Sequence, residues 1–299
     1  MADLALRFNK DVLVVEGSID TLLARDGALD VDSASELLDV LEPGLIIDAH
    51  RRYKQAGAQC MISNTVGGST NMLSRYGLAE RADELNRAGV RCALAAQPEH
   101  VLACVGSCGV SITDDTATYD AAYAQYITQI KSLAAEGPDA IFIRDAAEMD
   151  DAICAVSAAG EACDLPVLVT LTGEAFARGG DAGGDAGVGD AGNSEGNGAG
   201  LEASIRALKE AGADAVGFGG NIGATDMVPL IKRAAAICDL PIIAMPAATG
   251  PSDLMADFAF HARAAGAQFI GAGLCSDPSY TGAVYAAIGG LDVKTPELA

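Results

Sequence analysis

The chain has 299 residues, which is enough for one α/β barrel with insertions or for two small domains. It carries 41 acidic and 19 basic residues, a formal net charge of −22 at pH 7, and its Lys and Arg residues form no cluster. This balance argues against nucleic acid and anionic membranes as partners, because both require a basic surface. No apolar run reaches the roughly 20 residues of a membrane span and no leader-like segment opens the chain, so a cytoplasmic protein is expected.

Eight short apolar runs, each followed by a helical pattern, recur along the chain. Such runs are typical of parallel strands that crossover helices bury on both faces. Eight of these units close a (β/α)8 barrel. The sequence therefore predicts a single (β/α)8 TIM barrel over residues 1–299, with an open doubly wound sheet as the alternative. The runs are "VLVVEG" at 12, "AQCMISN" at 58, "HVLACVG" at 100, "DAIFIR" at 139, "LPVLVTL" at 165, "DAVGFGG" at 214, "LPIIAMP" at 240 and "AQFIGAG" at 267.

Residues 177–200 interrupt this pattern with a low-complexity stretch of Gly, Ala and Asp. Such a composition buries too little apolar surface to offset the entropy of ordering it. The stretch follows the fifth strand and so lies at the C-terminal end of the barrel, where active sites are found. We interpret it as a disordered insertion, with a mobile lid over the site as the alternative.

Candidate site residues are those that follow the strands, because the reacting groups of a barrel enzyme come from these positions. Arg144 and the carboxylates Glu16 and Asp145 are expected to share one pocket mouth. There Arg144 either pairs with Glu16 or binds an anionic substrate group bidentately. The candidate substrate-binding residues are Glu16, Gly17, Asn64, Thr65, Arg144, Asp145, Asn221 and Cys275.

Histidine and cysteine offer no obvious catalytic set. His50 and His261 fall on predicted helices and His100 precedes the third strand at the far face, so no imidazole base is expected. The chain has eight cysteines and no C-x-x-C pair. Six are interpreted as small buried hydrophobes, which leaves Cys108 and Cys275 as weak candidates for a reactive thiol or a metal ligand. Two thiols without a histidine fall short of a usual zinc site.

Four stretches carry a family resemblance, which extends from about residue 11 to 289 without the insertion. Together they resemble the homocysteine S-methyltransferase family, which includes betaine–homocysteine methyltransferase and the homocysteine module of cobalamin-dependent methionine synthase. The resemblance implies a barrel fold and a methyltransferase of one-carbon metabolism. The stretches are "VLVVEGSIDTLL", "PGLIIDAHRRYKQAGAQCMISNTVGGSTNMLSRYGLAERADELNRAGVRCALAA", "VGFGGNIGATDMVPLIKRA" and "IGAGLCSDPSYTGAVYAAI".

The same resemblance implies two departures in the site. The family binds zinc through three cysteines, and the zinc ionises the homocysteine thiol so that it can be methylated. The cysteine after strand six falls on Gly220 and the two after strand eight fall on Gly273 and Leu274. The strand-four glutamate that helps to hold the substrate ammonium falls on Arg144. The resemblance therefore indicates a divergent member that lacks the zinc cysteines, with Cys275 as a pocket thiol.

Three functions are compatible with these observations. The first is a methyltransferase that moves a methyl group between a small molecule and an acceptor or corrinoid carrier without a zinc–thiolate site; the corrinoid would be held by a partner protein at the barrel mouth. The second is homocysteine methylation with an unorthodox zinc set of Cys108, Cys275 and Glu16. The third is a catalytically silent barrel that binds a small molecule. The oligomeric state stays open.

Overall fold

Eight parallel strands form one sheet in the computed structural model, which describes residues 3–29, 33–113, 115–177 and 199–289. All eight apolar runs contain a strand, as predicted. The order around the sheet is β1-β8-β7-β6-β5-β4-β3-β2. The strands are β1 Leu13–Val14, β2 Cys60–Ile62, β3 His100–Val105, β4 Ala140–Ala146, β5 Val167–Leu171, β6 Ala215–Phe218, β7 Ile242–Ala244 and β8 Ala267–Ile270.

A short seam between β1 and β2 closes the sheet into a barrel. Val15 and Cys60 form an isolated parallel bridge. The Gln59 N–H donates to Val14 O at 2.8 Å, and the Glu16 N–H donates to Cys60 O at 3.0 Å. Because these bonds join the two ends of the strand order, the (β/α)8 barrel is confirmed and the open sheet is excluded.

Helices cover the outside of the strands, and most of them lie between consecutive strands. Ser18 caps the first helix, since its Oγ accepts a hydrogen bond from the Thr21 N–H. Among the described helices, none is long and apolar enough to cross a membrane. The α-helices are α1 Ile19–Arg25, α2 Leu38–Leu41, α3 Pro43–Gln55, α4 Thr70–Ser74, α5 Ala82–Ala95, α6 Thr116–Ala134, α7 Met149–Ala162, α8 Gly173–Ala177, α9 Ala199–Ala211, α10 Ala224–Ile237, α11 Ser252–Ala265 and α12 Pro278–Gly289.

Alternate strand residues face the barrel interior, as the two-residue period of a strand requires. The interior is packed with apolar side chains and contains two of the cysteines. The other strand residues pack against the helices in a second, larger core. The interior set is Leu4, Leu13, Val15, Cys60, Ile62, Leu102, Cys104, Ala140, Phe142, Leu168, Ala215, Ile243, Met245 and Phe269.

The N-terminal end of the barrel is closed by the 3-10 segment Leu4–Arg7, whose Leu4 belongs to the interior core. Phe8, directly after it, packs edge-on against Phe269 of β8. Of the predicted insertion, residues 178–198 lie outside the described residues, while Ala177 ends α8 and Ala199 begins α9. The barrel is therefore plugged at one end, which leaves the other end as the place for a candidate site.

Truncation of an interior side chain tests this packing. Phe142 is 1% exposed inside the barrel. Its replacement by Ala removes most of a buried ring, and we expect the free energy of unfolding to fall by about 3–5 kcal/mol. Leu6→Ala is the control, because Leu6 is 64% exposed and should change stability by no more than about 0.5 kcal/mol. Urea titration measures both; equal stability of the two variants would contradict the interior assignment.

Candidate functional site

The residues that follow β1 to β4 enclose a small polar cavity at the open end of the barrel, here called the mouth cavity. Its volume is about 20 Å³, which is room for roughly one water molecule. A ligand the size of an amino acid therefore requires side chains at the mouth to move. The lining consists of Gly17, Ser18, Ile19, Asp20, Ile62, Ser63, Asn64, Val66, Cys104 and Arg144.

A larger groove, of about 400 Å³, lies on the outer surface between α2, α3 and α5. It contains none of the candidate site residues. We place the site at the mouth rather than in this groove, because barrel chemistry depends on the groups that follow the strands. The groove is lined by Asp39, Val40, Pro43, Ile47, Glu84, Ala88, Arg91, Cys92 and Ala95.

Arg144 brings a positive charge into the mouth cavity. It follows Ala140 and Phe142 at two-residue steps on β4, so its side chain belongs to the interior row, and 13% of it is exposed. Its Nε donates to Asp145 Oδ2 at 3.3 Å, and the guanidinium makes no other hydrogen bond to the described residues. Burial opposes the charged form, yet the pKa of Arg144 is raised because the Asp145 carboxylate lies beside it. The guanidinium therefore stays charged.

Asp145 occupies a constrained turn within β4. Its φ is 55°, in the left-handed region, and the β4–β5 register shifts between Ile143 and Ala146. The Thr170 hydroxyl accepts from the Asp145 N–H at 2.9 Å and donates to Asp145 Oδ1 at 3.0 Å. The carboxylate is thus fixed between β5 and the Arg144 side chain.

Glu16 does not point into the mouth, and the predicted pairing of Glu16 with Arg144 is wrong. Strand alternation puts Glu16 on the outer face of β1, where its carboxylate is fully buried against α3. Its Oε2 lies 3.0 Å from Nδ1 of His50, and its Oε1 accepts the Ile62 N–H. Glu16 therefore joins β1, β2 and α3, and its role in the described structure is structural.

Gly17 lines the mouth cavity at a position that has no room for a side chain. A Cβ at Gly17 would overlap Ser276 Oγ and come within 3.0 Å of the Tyr53 ring. The Tyr53 hydroxyl is directed at Ser18 O (2.9 Å) and Ser276 O (3.2 Å), and Ser276 Oγ accepts the Ser18 N–H at 3.0 Å. These contacts tie the loop after β1 to the loop after β8 and shape one wall of the site.

Asn64 also lines the cavity, whereas Thr65 does not. The Asn64 amide donates to Ser35 O at 3.0 Å and to Asp39 Oδ2 at 3.2 Å. Residues in and just before α2 therefore hold this side chain in place. Burial raises the pKa of Asp39 well above its ordinary range. The Thr65 hydroxyl donates to Cys104 O at 2.7 Å and links the β2 loop to β3. Of this predicted pair, only Asn64 lines the mouth cavity.

Asn221 lies on the β6 side of the mouth, outside the mouth cavity. Its side-chain amide donates to Glu174 Oε1 at 3.0 Å, and Glu174 Oε2 accepts the Thr172 hydroxyl. The amide therefore orients an exposed carboxylate on α8. Glu174 was not predicted, since it lies three residues beyond the end of β5.

The thiols do not form a nucleophile or metal site. Cys108 is fully buried in the core between barrel and helices, and burial raises its pKa, which does not suit a reactive thiol. Burial likewise raises the pKa of Cys104, which lines the cavity, to about 12, so this thiol stays protonated at neutral pH. Cys275 is exposed, with φ at 63°, and is not part of the mouth cavity formed by the described residues.

The residues at the predicted zinc positions do not fit a zinc–thiolate centre. A Cβ at Gly220, whose φ is 65°, would lie 2.6 Å from Thr172 Cγ2; a Cβ at Gly273 would lie 2.5 Å from Met245 O. Leu274 is 43% exposed. No three His, Cys, Asp or Glu side chains in the described ranges are grouped so that they could hold a metal ion. The unorthodox set of Cys108, Cys275 and Glu16 is therefore not brought together.

Two further residues near the mouth, His50 and Asp20, were not predicted as part of the site. His50 was set aside because it falls on a helix, yet Ile46, Ala49, His50 and Tyr53 recur at three- and four-residue steps and form the buried face of α3. That spacing indicates burial from the sequence alone. Asp20, near the start of α1, also lines the mouth cavity, and its buried Oδ1 has no hydrogen-bond partner among the described residues. No sequence signal identifies Asp20.

The buried Glu16–His50 pair leads to a stability prediction. His50→Ala leaves a buried oxygen of Glu16 without its hydrogen-bond partner and opens space in the core, so we expect the free energy of unfolding to fall by about 2–4 kcal/mol. His261→Ala is the matched control, because the His261 side chain is 55% exposed and its loss should cost no more than about 0.5 kcal/mol. Urea titration at pH 7 compares them. A His50→Ala protein as stable as His261→Ala would show that the pair is unimportant.

Restoring the family's cysteines tests the fit of the zinc positions. In a Gly220→Cys, Gly273→Cys, Leu274→Cys triple variant, the first two side chains overlap Thr172 and the Met245 carbonyl. We therefore expect far less than one zinc per chain and no thiolate-to-cobalt absorption on titration with Co²⁺. Leu274→Cys alone is the control for an added surface thiol. A tetrahedral thiolate spectrum with one metal per chain would contradict the packing argument.

Comparison with known proteins agrees with the barrel. The homocysteine methyltransferase MmuM from Escherichia coli, in its oxidized form, superimposes with a TM-score of 0.76 at 19% identity, covering 93% of this chain and 96% of that chain. A methyltransferase from Methanosarcina mazei gives a TM-score of 0.62 at 11% identity, with 94% of each chain covered. At such identities these likenesses show the fold alone.

Comparison of sequences identifies the family as well as the fold. The methionine synthase of Mycobacterium tuberculosis is 31% identical over 96 residues, which are 30% of this chain and 8% of that protein. The chain thus matches only a small part of this relative. A model of the homocysteine S-methyltransferase family matches residues 13–287, which is nearly the whole chain. The chain therefore belongs to the homocysteine S-methyltransferase family.

Proposed function

We propose that this protein is a methyltransferase that moves a methyl group between a small molecule and an acceptor or corrinoid carrier, and that it does so without a zinc–thiolate site. Membership of the family supports methyl transfer. The packing at Gly220 and Gly273 supports the absence of the family's thiolates from the reaction.

Arg144 is the observation that carries the proposal. Its guanidinium lines the mouth cavity, and its Nη atoms donate to none of the described residues. The free edge of a guanidinium pairs bidentately with a carboxylate, whereas an ammonium group beside it is repelled. We assign the anionic group of the small molecule to this edge.

Asp20 adds a hydrogen-bond acceptor to the lining of the same cavity. Its buried Oδ1 has no partner in the described part of the chain, so the ligand gains by placing a hydroxyl or ammonium donor there. Asn64 lines the cavity as well, with an amide already oriented by Ser35 and Asp39. The three residues define a polar end for the substrate.

The absence of a thiolate site from the proposed reaction favours a methyl acceptor that is not a thiol. Methylation of a thiol at neutral pH needs a means to ionise it, and the thiol of Cys104, the only one in the cavity lining that the described residues form, is itself held protonated. An acceptor that is already nucleophilic avoids this step. A reduced corrinoid carried by a partner protein meets that condition, and the open end of the barrel is the face at which it would dock.

A catalytically silent binding barrel is the second candidate, and it is favoured because the lining that the described residues form contains no histidine and no group of three possible metal ligands. Binding without turnover would identify this function.

A methyl-transfer assay separates these functions. The purified protein is incubated with sulfonium or quaternary ammonium methyl donors and with either reduced cobalamin or homocysteine, with and without added zinc. We expect methylcobalamin to form independently of zinc, and Arg144→Gln to lower the rate about 10- to 100-fold, since it removes a charge-assisted contact.

Arg51→Gln is the matched control, because the Arg51 side chain is 53% exposed and pairs with Asp48 on the surface of α3. It should leave the rate unchanged. Zinc-dependent formation of methionine from homocysteine would overturn the proposal. Ligand binding with no turnover on any acceptor would establish the silent barrel.

A further inference from the structure

The carboxylate of Asp145 rests in a recess that exists only because residue 219 is glycine. A Cβ at Gly219 would overlap Asp145 Oδ1 and would lie 3.4 Å from Thr170 Oγ1. The recess cannot shift to make room, because the Gly219 N–H donates to Leu171 O at 3.0 Å and so belongs to the β5–β6 ladder. Any larger residue at 219 must therefore displace Asp145.

From this recess Asp145 reaches Arg144. Its Oδ1 is held by the Thr170 hydroxyl, which leaves Oδ2 to accept from Arg144 Nε at 3.3 Å. The left-handed φ of 55° turns the backbone so that two neighbouring residues can meet in this way. Because only Nε is engaged, the edge formed by the two Nη atoms is left for a ligand.

The charge of Asp145 and its position have opposite effects on an anion at Arg144. A carboxylate in contact with the guanidinium weakens the attraction for a second anion. A fixed guanidinium, on the other hand, loses less side-chain entropy when it binds. The two effects can be separated, because one depends on the charge of Asp145 and the other on its place in the recess.

We propose that Asp145 is a positioning residue: seated on Gly219 and held by Thr170, it aims the Nη edge of Arg144 across the mouth for a carboxylate-bearing ligand, and this gain exceeds the repulsion from its own charge. The inference rests on the proposed function, since it takes Arg144 to be the anion-binding group. It adds Gly219, Thr170 and Asp145 as determinants of recognition, none of which needs to touch the ligand.

The test is the affinity of the full chain for 3-(methylthio)propanoate, a carboxylate without an ammonium group, measured by NMR titration. Asp145→Asn removes a negative charge and keeps the size of the side chain. We expect it to weaken binding about tenfold, and Gly219→Ala to do the same. Gly160→Ala is the matched glycine control, because no atom lies within 4 Å of its added Cβ and Gly160 is exposed on α7. It should bind like the wild type.

Thr170→Val keeps the charge of Asp145 and removes only the hydroxyl that holds it, so it tests position alone and serves if Asp145→Asn does not fold. It too should weaken binding. Tighter or unchanged binding by Asp145→Asn, or unchanged binding by Thr170→Val, would overturn the inference.

Loss of the positioning role can be distinguished from loss of the anion site. If Arg144→Gln abolishes binding while Asp145→Asn strengthens it, the anion site stands and only the positioning role is lost. If the wild type binds no carboxylate, or Arg144→Gln binds it equally well, the anion site falls and the positioning role with it.

Discussion

The closure of the barrel between β1 and β2 is the constraint on which the rest of the structure depends. β1 has only two residues, and its contact with β2 is a single bridge at Val15 and Cys60. The Glu16 side chain extends this seam, since it accepts the Ile62 N–H beyond the end of the backbone pairing. His50 of α3 holds the same carboxylate from outside. Hydrogen bonds to a buried side chain thus supplement the short strand pairing, and because the Glu16 carboxyl group is used in this way it is not available to the mouth.

Neighbouring segments also approach one another closely at the open end of the barrel, and this limits what the site can contain. Neighbouring segments come so near to Gly17, Gly220 and Gly273 that a side chain at any of them would overlap Ser276, Thr172 or the Met245 carbonyl. The mouth cavity is correspondingly small. Cysteine side chains at Gly220 and Gly273 would have to occupy space where Thr172 and the Met245 carbonyl lie. The same narrowness brings the remaining polar groups within reach of one another.

Few charged side chains lie at the mouth, and they differ in how firmly other residues hold them. Arg144 keeps the ends of its guanidinium free of the described residues, Asp145 is held on three sides, and Asp20 has a buried oxygen without a partner in the described chain. One held carboxylate, one free cation edge and one unsatisfied acceptor are the groups through which the proposed function has the site bind the polar end of a ligand. The family relationship supplies the chemistry for which such recognition would serve.

The sequence by itself determined the barrel and the end of the barrel at which the candidate site lies. The eight apolar runs and the helices between them depend on local periodicity, which can be read along the chain, and the residues after each strand follow from that order. Strand alternation alone would have placed Arg144 inside and Glu16 outside, and helical spacing would have placed His50 on the buried face of α3. Only the tertiary structure decided the partners. Glu16 meets His50 across 34 residues and Asp145 meets Gly219 from another strand. The space available at Gly220 likewise depends on Thr172. Such contacts are set by how strands are placed side by side, and no local pattern along the chain records which residues those placements bring together.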